Sequence, residues 1–291
     1  NVVTHAVCLC FSCVQLSVAQ CLDNVTTFLN SYLLLQQTNS VGVCLCHQGG
    51  SRMVYPVAGR EEAGLQETEE TTSGKYEPLV HMNRVLTEEI RKTVTETASH
   101  PVHSTSALSG ALSKCLCYIQ RRCREAPLGT KVNSRILVIM SSQDTASQYV
   151  PVMNCIFAAQ KHKIVIDSCV LWQDSGFLQQ ASDITGGIYI KTPEPAGLLQ
   201  FLIWTFLPDE TSRDKLMLPS AVKVDYHASC FCHHRLVDVG HVCSVCLSIF
   251  CQFTPICSMC QAHFKLPNLP LVKAGKSKKK KNAKVRDHGQ A

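Results

Sequence analysis

The chain has 291 residues, which is room for one large domain and a small one. Its hydrophobic content of 45% excludes a largely disordered protein. The formal net charge is +6, but seven Lys and Arg lie in the last sixteen residues, so the rest of the chain is near neutral and is not an obvious polyanion-binding surface.

The chain has eighteen cysteines, which is a high number. Cysteines form disulfides in a secreted protein, whereas inside the cell they bind metals or pack as thiols. Seven of them lie within residues 230–260 at spacings typical of metal ligands. Others lie in apolar runs, where a thiol behaves as a small hydrophobe: Cys44, Cys46, Cys155 and Cys169. This distribution favours a reducing compartment.

The first residues contain an apolar run, residues 6–14, of roughly the length of a signal-peptide core. No Lys or Arg precedes Arg52, so the charged start of a signal peptide is missing. The run is also too short to span a bilayer. We therefore interpret residues 1–17 as an atypical N-terminal segment and not as a secretory signal.

Helix-type and strand-type patterns alternate from residue 18 onward. The first half predicts a helix at 18–35, strands at 41–46 and 52–57, an acidic loop at 59–74, and helices at 83–97 and 106–123. The second half predicts a strand at 135–141, a helix at 150–160, a strand at 163–171, a helix at 176–185, a strand at 187–191 and a helix at 195–207.

The run at 135–141 is almost continuously apolar, which is typical of a strand buried on both faces of a parallel sheet. Strands alternating with helices of this length predict an α/β fold. We therefore expect a doubly wound, mostly parallel sheet with helices on both faces, spanning residues 18–207.

Three further segments follow this domain. Residues 208–221 are polar and are interpreted as a linker. Residues 222–266 hold the crowded cysteines and predict a small metal-binding module. Residues 267–291 have almost no large apolar side chains, so we expect a disordered basic tail.

Two CxxC pairs in the module, Cys243 with Cys246 and Cys257 with Cys260, have the spacing of a tetrahedral zinc site. Each pair folds into a tight knuckle, and the ten residues between the pairs let the second knuckle complete the tetrahedron. Four thiolates leave no open coordination position, so this zinc would be structural. The alternatives are two disulfides or four free thiols. The paired spacing favours Zn²⁺ as the cofactor.

A second group of candidate ligands consists of Cys230, Cys232, His233 and Cys251, beside His234. These residues could build a second zinc centre or a cross-braced arrangement. In the alternative interpretation Cys230 and Cys251 are buried thiols and the histidines face solvent. The sequence leaves this question open.

The lysine-rich tail contains Lys276, Lys278, Lys279, Lys280 and Lys281. It could act as a nuclear-import signal, as an arm that contacts phosphates, or only as a solubilising segment. Any nucleic-acid contact would be weak, non-specific and sensitive to salt.

No catalytic constellation emerges from the sequence, because no histidine has a nucleophile partner in a recognisable motif and Gly186-Gly187 lacks a phosphate-loop pattern. We therefore expect no enzyme. A magnesium site built from an Asp-x-Ser-x-Ser motif, a Thr and a later Asp is also not expected. Its first motif is absent, and Thr105, Ser141, Ser142 and Asp144 are more typical of caps and turns.

Several segments resemble one known family, the small von Willebrand A-type subunit of the TFIIH core with a four-cysteine zinc finger (the Tfb-four family). The segments that carry the resemblance are Ser134-Arg-Ile-Leu-Val-Ile-Met140, Phe157-Ala-Ala-Gln160, Gln179-Gln-Ala-Ser-Asp-Ile-Thr-Gly-Gly187, Val224-Asp-Tyr226, Cys230-Phe-Cys-His233 and Gly240-His-Val-Cys-Ser-Val-Cys-Leu-Ser-Ile-Phe-Cys251. The resemblance runs from about residue 18 to the basic tail. Its most specific part is the cysteine module, where the residues between the ligands match as well.

The resemblance implies a non-catalytic nuclear subunit of TFIIH that serves RNA polymerase II initiation and nucleotide excision repair. It also implies that the chain packs against the other zinc-containing A-type subunit of the core. Two other function classes are weighed beside it. One is a RING-like module of a ubiquitin ligase, for which the spacing is poor, and the other is a secreted adhesion domain, for which disulfides and a magnesium site would be needed.

The chain departs from the family at its front. The family opens with a buried strand that ends in Asp, whereas here no Asp precedes Asp23. Either residues 2–14 substitute as that strand, or the sheet lacks its centre, which would leave backbone groups unpaired. We expect this N-terminus to be an artefact of sequence assembly.

Overall fold

The structure is a computed structural model. It describes residues 2–10, 18–47, 50–56, 76–97, 107–127, 129–130, 132–171, 173–192, 194–219, 224, 226–233 and 235–264. The predicted loop at 59–74, Thr105, His234 and the lysines of the tail lie outside these residues.

A six-stranded sheet forms the centre of the larger domain. Its strands are β1 (Val2–Cys10), β2 (Ser40–His47), β3 (Gly50–Tyr55), β4 (Val132–Met140), β5 (Val165–Val170) and β6 (Tyr189–Lys191). The strand order is β3-β2-β1-β4-β5-β6. The β2–β3 pair is antiparallel, and every other pair in the sheet is parallel.

Seven α-helices accompany the sheet in the described residues: α1 (Val18–Leu35), α2 (Glu77–Thr97), α3 (Leu108–Glu125), α4 (Tyr149–Lys161), α5 (Gly176–Thr185), α6 (Leu198–Phe201) and α7 (Glu210–Arg213). Helices α3, α4 and α5 cover one face of the sheet, and α1, α2 and α6 cover the other. This arrangement confirms the predicted doubly wound α/β fold. None of the described helices combines the length and the apolar character that a bilayer crossing requires.

The last part of the predicted helix at 195–207 is not a uniform α-helix. A 3₁₀ turn at Pro195–Gly197 precedes α6, and a π-helical turn at Leu202–Phe206 follows it. The π-helical turn buries Leu202 and Phe206 and leaves Trp204 exposed.

The N-terminal residues supply the central strand of the sheet, β1. It pairs with β2 on one side and with β4 on the other, and Ala6 to Cys10 are at most 1% exposed. Residues 6–10 of the apolar run are therefore apolar because both faces of a central strand are buried. The domain boundary predicted at residue 18 is wrong, and so is the alternative of a sheet without its centre.

Alternate side chains of β1 enter two separate apolar cores. Cys8 and Cys10 face the side of α3, α4 and α5, whereas Val7 and Leu9 face the side of α1, α2 and α6. The cysteines that the sequence assigned to buried positions are indeed buried: Cys44, Cys46, Cys155 and Cys169.

Two adjacent glycines explain the end of α5. Gly186 adopts the left-handed conformation that terminates the helix, with φ of 73°. A Cβ atom at Gly187 would collide with the backbone carbonyl of Ile166. The Gly-Gly pair thus lets the chain leave the helix and pass close to β5.

A buried ionic cluster ties the end of the domain to the sheet. Asp167 on β5 is 1% exposed and receives hydrogen bonds from two arginines, Arg135 on β4 at 2.6 Å and Arg213 on α7 at 2.8 Å. Arg135 also donates to the carbonyl of Pro208 at 2.8 Å, and the amide of Ile188 donates to Asp167 at 2.9 Å. Burial raises the pKa of the Asp167 carboxyl, whereas Arg135 and the Ile188 amide oppose that rise.

This cluster corrects the predicted linker at 208–221. The first part of that segment contains α7, whose Arg213 side chain reaches into the domain. The polar sequence misled the prediction because its key side chain pairs with a carboxylate 46 residues earlier in the chain. The segment 208–213 is therefore a fixed part of the sheet domain.

His5 on β1 is a buried histidine that lies beside the ionic cluster, opposite Arg135 on β4. Its ring stacks on Tyr32 at a centroid distance of 4.2 Å, and the residue is 1% exposed. Burial, together with the nearby Arg135 charge, holds the pKa of His5 well below 6.5. The folded protein thus keeps this imidazole neutral under conditions in which the unfolded chain binds a proton.

We expect the free energy of unfolding to fall as pH drops below about 6.5, by at most about 1.4 kcal/mol per pH unit from this group. Above that pH His5 contributes no pH dependence, because it is neutral in both states. The variant His5→Phe should flatten the curve, whereas His162→Phe, at an exposed position, should not. Urea unfolding at several pH values measures this. Equal slopes for His5→Phe and the wild type would contradict the prediction.

Candidate metal centres

The cysteine module contains two small antiparallel ribbons. One pairs β7 (Ala228–Ser229) with β8 (Leu236–Val237), and the other pairs β9 (His241–Val242) with β10 (Ile249–Phe250). Its apolar core is small, formed by Cys243, Phe250 and Cys257 with partly buried Phe231, Ala262 and Phe264. A core of this size cannot stabilise a fold alone, so the module needs cross-links or metal ions.

The two CxxC pairs adopt the same local backbone geometry. In the first knuckle the Cys243 amide donates to the Ser248 carbonyl, and the Leu247 amide donates to the Cys243 carbonyl, both at 2.9 Å. The second knuckle repeats both hydrogen bonds: the Cys257 amide donates to the Ala262 carbonyl, and the Gln261 amide donates to the Cys257 carbonyl, both at 2.9 Å. The residue after each pair has a positive φ, 60° at Leu247 and 58° at Gln261. This repeated turn directs both thiols of each pair toward the same point.

The four sulfur atoms of these pairs lie within 4.8 Å of one another. The Sγ atoms of Cys243 and Cys260 are 3.7 Å apart, and those of Cys246 and Cys257 are 3.6 Å apart. Four ligands about 2.3 Å from one ion stand about 3.8 Å from each other, so the residues fit a tetrahedral zinc ion. A disulfide needs about 2.05 Å, and all four cysteines are free.

Ser248 favours the metal-binding form of Cys246. Its hydroxyl lies 3.2 Å from the Cys246 Sγ, and hydrogen bonds with the Ser248 side chain and backbone lower the pKa of Cys246 to about 6. Metals bind the thiolate and not the thiol. The lowered pKa makes it easier for this ligand to lose its proton when a zinc ion binds. The sequence did not single out Ser248, although it directly follows the first knuckle.

The second group of candidate ligands also converges: Cys230, Cys232, His233 and Cys251 lie within 4.8 Å of one another. The Nδ1 atom of His233 is 3.1 Å from the Sγ of Cys232 and 3.2 Å from the Sγ of Cys251. The two sulfurs are 3.5 Å apart. A tetrahedral S₃N donor set around zinc separates its donors by about 3.6 to 3.8 Å. The sulfur pair is close to this range, whereas the two N–S distances are about 0.4 Å shorter, so the group fits one ion after a small shift of the His233 ring.

A third knuckle explains this convergence. The Cys230 amide donates to the Arg235 carbonyl at 2.9 Å. The same bond, from the amide of the first cysteine to the carbonyl five residues later, occurs in the other two knuckles. Cys230 and His233 therefore occupy the two ligand positions of a CxxH knuckle. Cys230 and His233 have the i, i+3 spacing of such a knuckle, but the additional ligand Cys232 between them makes the segment look like a CxC pair.

The two clusters share the β9–β10 ribbon. Cys243 directly follows β9, and Cys251 directly follows β10. The amide of Phe231 also donates to the Ile249 carbonyl at 2.8 Å, which joins the third knuckle to β10. Along the chain the ligands alternate between the clusters, so the arrangement is cross-braced. Distortion of one cluster should therefore also displace the ligands of the other.

Other residues weighed in the sequence have structural surroundings. Asp144 accepts a hydrogen bond from the Ser175 hydroxyl at 2.6 Å and from the Phe177 amide at 3.1 Å, at the start of α5. Burial raises the pKa of Asp144. The Ser141 amide donates to the Cys10 carbonyl at 2.9 Å. The Asp144 contacts fix the start of α5, and the Ser141 contact continues the pairing of β4 with β1 by one residue.

Comparisons with known proteins cover most of the chain. A sequence model described as "Transcription factor Tfb4" matches residues 2–261. "General transcription factor IIH subunit 3" of Dictyostelium discoideum is 41% identical over 256 residues, which is 84% of this chain and 68% of that protein. "General transcription and DNA repair factor IIH subunit tfb4" of Schizosaccharomyces pombe is 36% identical over 250 residues, with 86% and 82% covered.

Among solved structures, the crystal structure of the TFIIH p34 N-terminal domain superimposes with a TM-score of 0.59 at 27% identity. The match covers 69% of this chain and 96% of that one. The fold of the sheet domain is thus von Willebrand A-like. Because the sequence match begins at residue 2, the expectation that the resemblance starts near residue 18 is wrong.

Proposed function

The chain belongs to the transcription factor Tfb4 family, and from this we propose that it is a non-catalytic structural and interaction subunit of the TFIIH core. In this role it acts in RNA polymerase II initiation and nucleotide excision repair. The observation that carries the proposal is the similarity to the two TFIIH subunits over more than four fifths of the chain. The proposal places the protein in the nucleus, with the lysine-rich tail (Lys276, Lys278, Lys279, Lys280 and Lys281) as import signal.

We further propose that the protein holds two structural zinc ions. Cys243, Cys246, Cys257 and Cys260 would bind the first ion, and Cys230, Cys232, His233 and Cys251 the second. Both donor sets are complete, so neither ion would offer an open position for catalysis. The metal contributes folding energy of order ~10 kcal/mol to a module with a small core. Its function is then to fix the side chains that the module presents to a partner.

The partner we propose is the other zinc-containing A-type subunit of the core. Val245 and Leu247 suit such an interface, since they are 67% and 71% exposed beside the first cluster. Phe250 does not, because it is 5% exposed and belongs to the core of the module. Exposed apolar side chains on a fixed turn are typical of protein interfaces.

The double variant Val245→Thr, Leu247→Asn should reduce partner binding at least tenfold without loss of zinc. Asn tolerates the left-handed backbone at position 247, so the knuckle should keep its shape. Val239→Thr is the matched control, because Val239 is 83% exposed and lies outside the knuckles. Co-purification with the partner, together with zinc analysis, measures the effect. Intact binding by the double variant would exclude this interface.

A second candidate function is a RING-like module of a ubiquitin ligase, and the cross-braced order of the ligands favours it. The spacing of Cys230 and Cys232 does not suit that class, and no further ligand pair follows Cys260 in the sequence. An in-vitro ubiquitylation assay discriminates the two functions. Ubiquitin transfer that depends on the module would support the ligase, and its absence alongside stable TFIIH assembly would support the structural role.

The experiment that tests the main proposal is co-expression of the full chain with the other TFIIH core subunits. We expect a stoichiometric complex that survives size exclusion. A chain that folds and binds zinc but elutes alone from every core subunit would overturn the proposal.

A further inference from the structure

One edge of the sheet lies in an open groove. Strand β3 is last in the strand order, and in the described part of the chain only β2 pairs with it. Because α2 and α3 lie on opposite faces of the sheet, the groove runs along β3 with one helix as each wall. Its volume is about 540 Å³, and its lining includes Arg52, Met53 and Val54 of β3.

The α3 wall of the groove approaches β3 closely. A Cβ atom at Gly110 would lie 3.0 Å from the Ser51 hydroxyl, so this glycine allows the helix to pack near the strand. One turn later Lys114 donates to the Ser51 carbonyl. Ser113 and the exposed thiol of Cys117 continue the same wall.

The opposite wall is electrically balanced. Glu89 of α2 forms an ion pair with Arg52 of β3 at 3.0 Å. The residues that line the groove include two cations, Arg52 and Lys114, and one carboxylate, Glu89. Since Glu89 pairs with Arg52, the charge of Lys114 is not neutralised by a lining residue. The groove therefore combines an apolar floor with one positive charge on its α3 wall.

An edge strand exposes a row of backbone N–H and C=O groups that can pair with another strand. Some proteins use an exposed sheet edge to bind an extended peptide as an added strand. In these complexes main-chain hydrogen bonds supply affinity, and alternate side chains enter the walls and supply specificity. Here the Lys114 ammonium donates to one carbonyl of the edge strand, that of Ser51. A carboxylate of a bound peptide could attract the ammonium and leave the Ser51 carbonyl free to pair with the peptide.

We propose that this groove binds an extended segment of a protein partner, which adds to β3 as a seventh strand. The segment places an acidic side chain against Lys114 and apolar side chains against Met53 and Cys117. The partner is a subunit of the assembly proposed above, so the inference rests on that proposed function.

Hydrogen–deuterium exchange of the β3 amides tests the proposal on the unmodified chain. The exchange rates are compared between the free full-length chain and the chain in the complete TFIIH core. Addition of a strand should slow exchange at least tenfold for those amides within residues 51–54 that do not already donate to β2, because these N–H groups gain partners. Contact through side chains alone would leave the rates unchanged.

Two variants locate the contact. Lys114→Glu should weaken retention in the core about tenfold, whereas Lys161→Glu makes the same charge change at an exposed position on α4 and should have no effect. Cys117→Trp should fill the groove and weaken retention similarly, with Cys123→Trp, at an exposed position on the same helix, as its control.

The outcomes separate the two proposals. A core complex that forms with unchanged β3 exchange overturns the groove proposal and leaves the proposed function standing. Failure of the folded chain to enter the complex overturns both. Slower β3 exchange that Lys114→Glu reverses and Lys161→Glu does not reverse supports both.

Discussion

Replacement of Cys243 by serine is expected to release the zinc ion of the first cluster and to unfold the cysteine module. A serine hydroxyl is a poor zinc ligand, so the variant keeps only three of the four thiolates. These three are spaced for a tetrahedral site with four ligands, and the fourth position would lack a good ligand. Since metal binding supplies of order ~10 kcal/mol to such a module, its loss exceeds what the core around Phe250 can offset. Zinc content falling from two ions per chain, with new protease cleavage within 228–264, would be the observed result.

The sheet domain should remain folded in Cys243→Ser, because its two apolar cores contain none of the module's cysteines. Its main thermal transition should therefore persist. Cys123→Ser is the matched control, since Cys123 is exposed on α3 and belongs to neither cluster. If Cys243→Ser kept its full zinc content and resisted protease, the first centre would not be a zinc site.

The shared β9–β10 ribbon extends this expectation to the second cluster. Cys243 and Cys251 follow the two strands of one ribbon, so disorder at the first site should loosen the second ion as well. Removal of zinc by a chelator should then proceed as one cooperative step. Two separate steps with distinct affinities would show that the clusters fold independently.

Asp167→Ala should destabilise the sheet domain by about 3–5 kcal/mol, the largest effect we expect from a single substitution there. The change leaves Arg135 and Arg213 without their shared carboxylate, with side chains 9% and 10% exposed. It also removes the acceptor of the Ile188 amide. A buried charge without a partner is costly, because water cannot replace the lost carboxylate.

An exposed ion pair of similar geometry provides the control. Asp174 and Lys191 are 2.7 Å apart, but their side chains are 53% and 45% exposed. Asp174→Ala should change the free energy of unfolding by only about 0–1 kcal/mol. Urea unfolding of the two variants measures the difference. Equal effects would mean that the cluster around Asp167 is solvated in solution.

Asp167→Ala should also free the segment after the sheet domain. Arg213 on α7 would lose its only carboxylate acceptor in the cluster, and 208–213 would become accessible to protease. This readout separates loss of the anchor from a general loss of stability. Asp167→Asn should have the milder effect, because its amide oxygen can still accept from Arg213 and Ile188.

Local patterns in the sequence predicted most of the helices and strands between residues 18 and 207. The bounds predicted for α1 and α5 agree with the structure, because apolar residues at helical spacing report directly on a helix with one buried face. Helix α2 begins earlier than predicted, at Glu77 instead of residue 83. Pro78 lies in its first turn, where a missing N–H removes no helical hydrogen bond, so a residue that usually breaks helices belongs to this one.

The sequence by itself determined the α/β fold and all eight candidate ligands, because these follow from residue types at short spacings, and its resemblance to known segments identified the family. Only the tertiary structure decided that residues 2–10 form the central strand. A short apolar run has the same sequence pattern in a signal peptide and in a buried strand, so the pattern does not distinguish them. The tertiary structure alone also decided the Arg135–Asp167–Arg213 cluster, the convergence of each ligand group on one point, and the groove along β3. These features join residues far apart in the chain, and their pairing depends on which surfaces folding brings into contact.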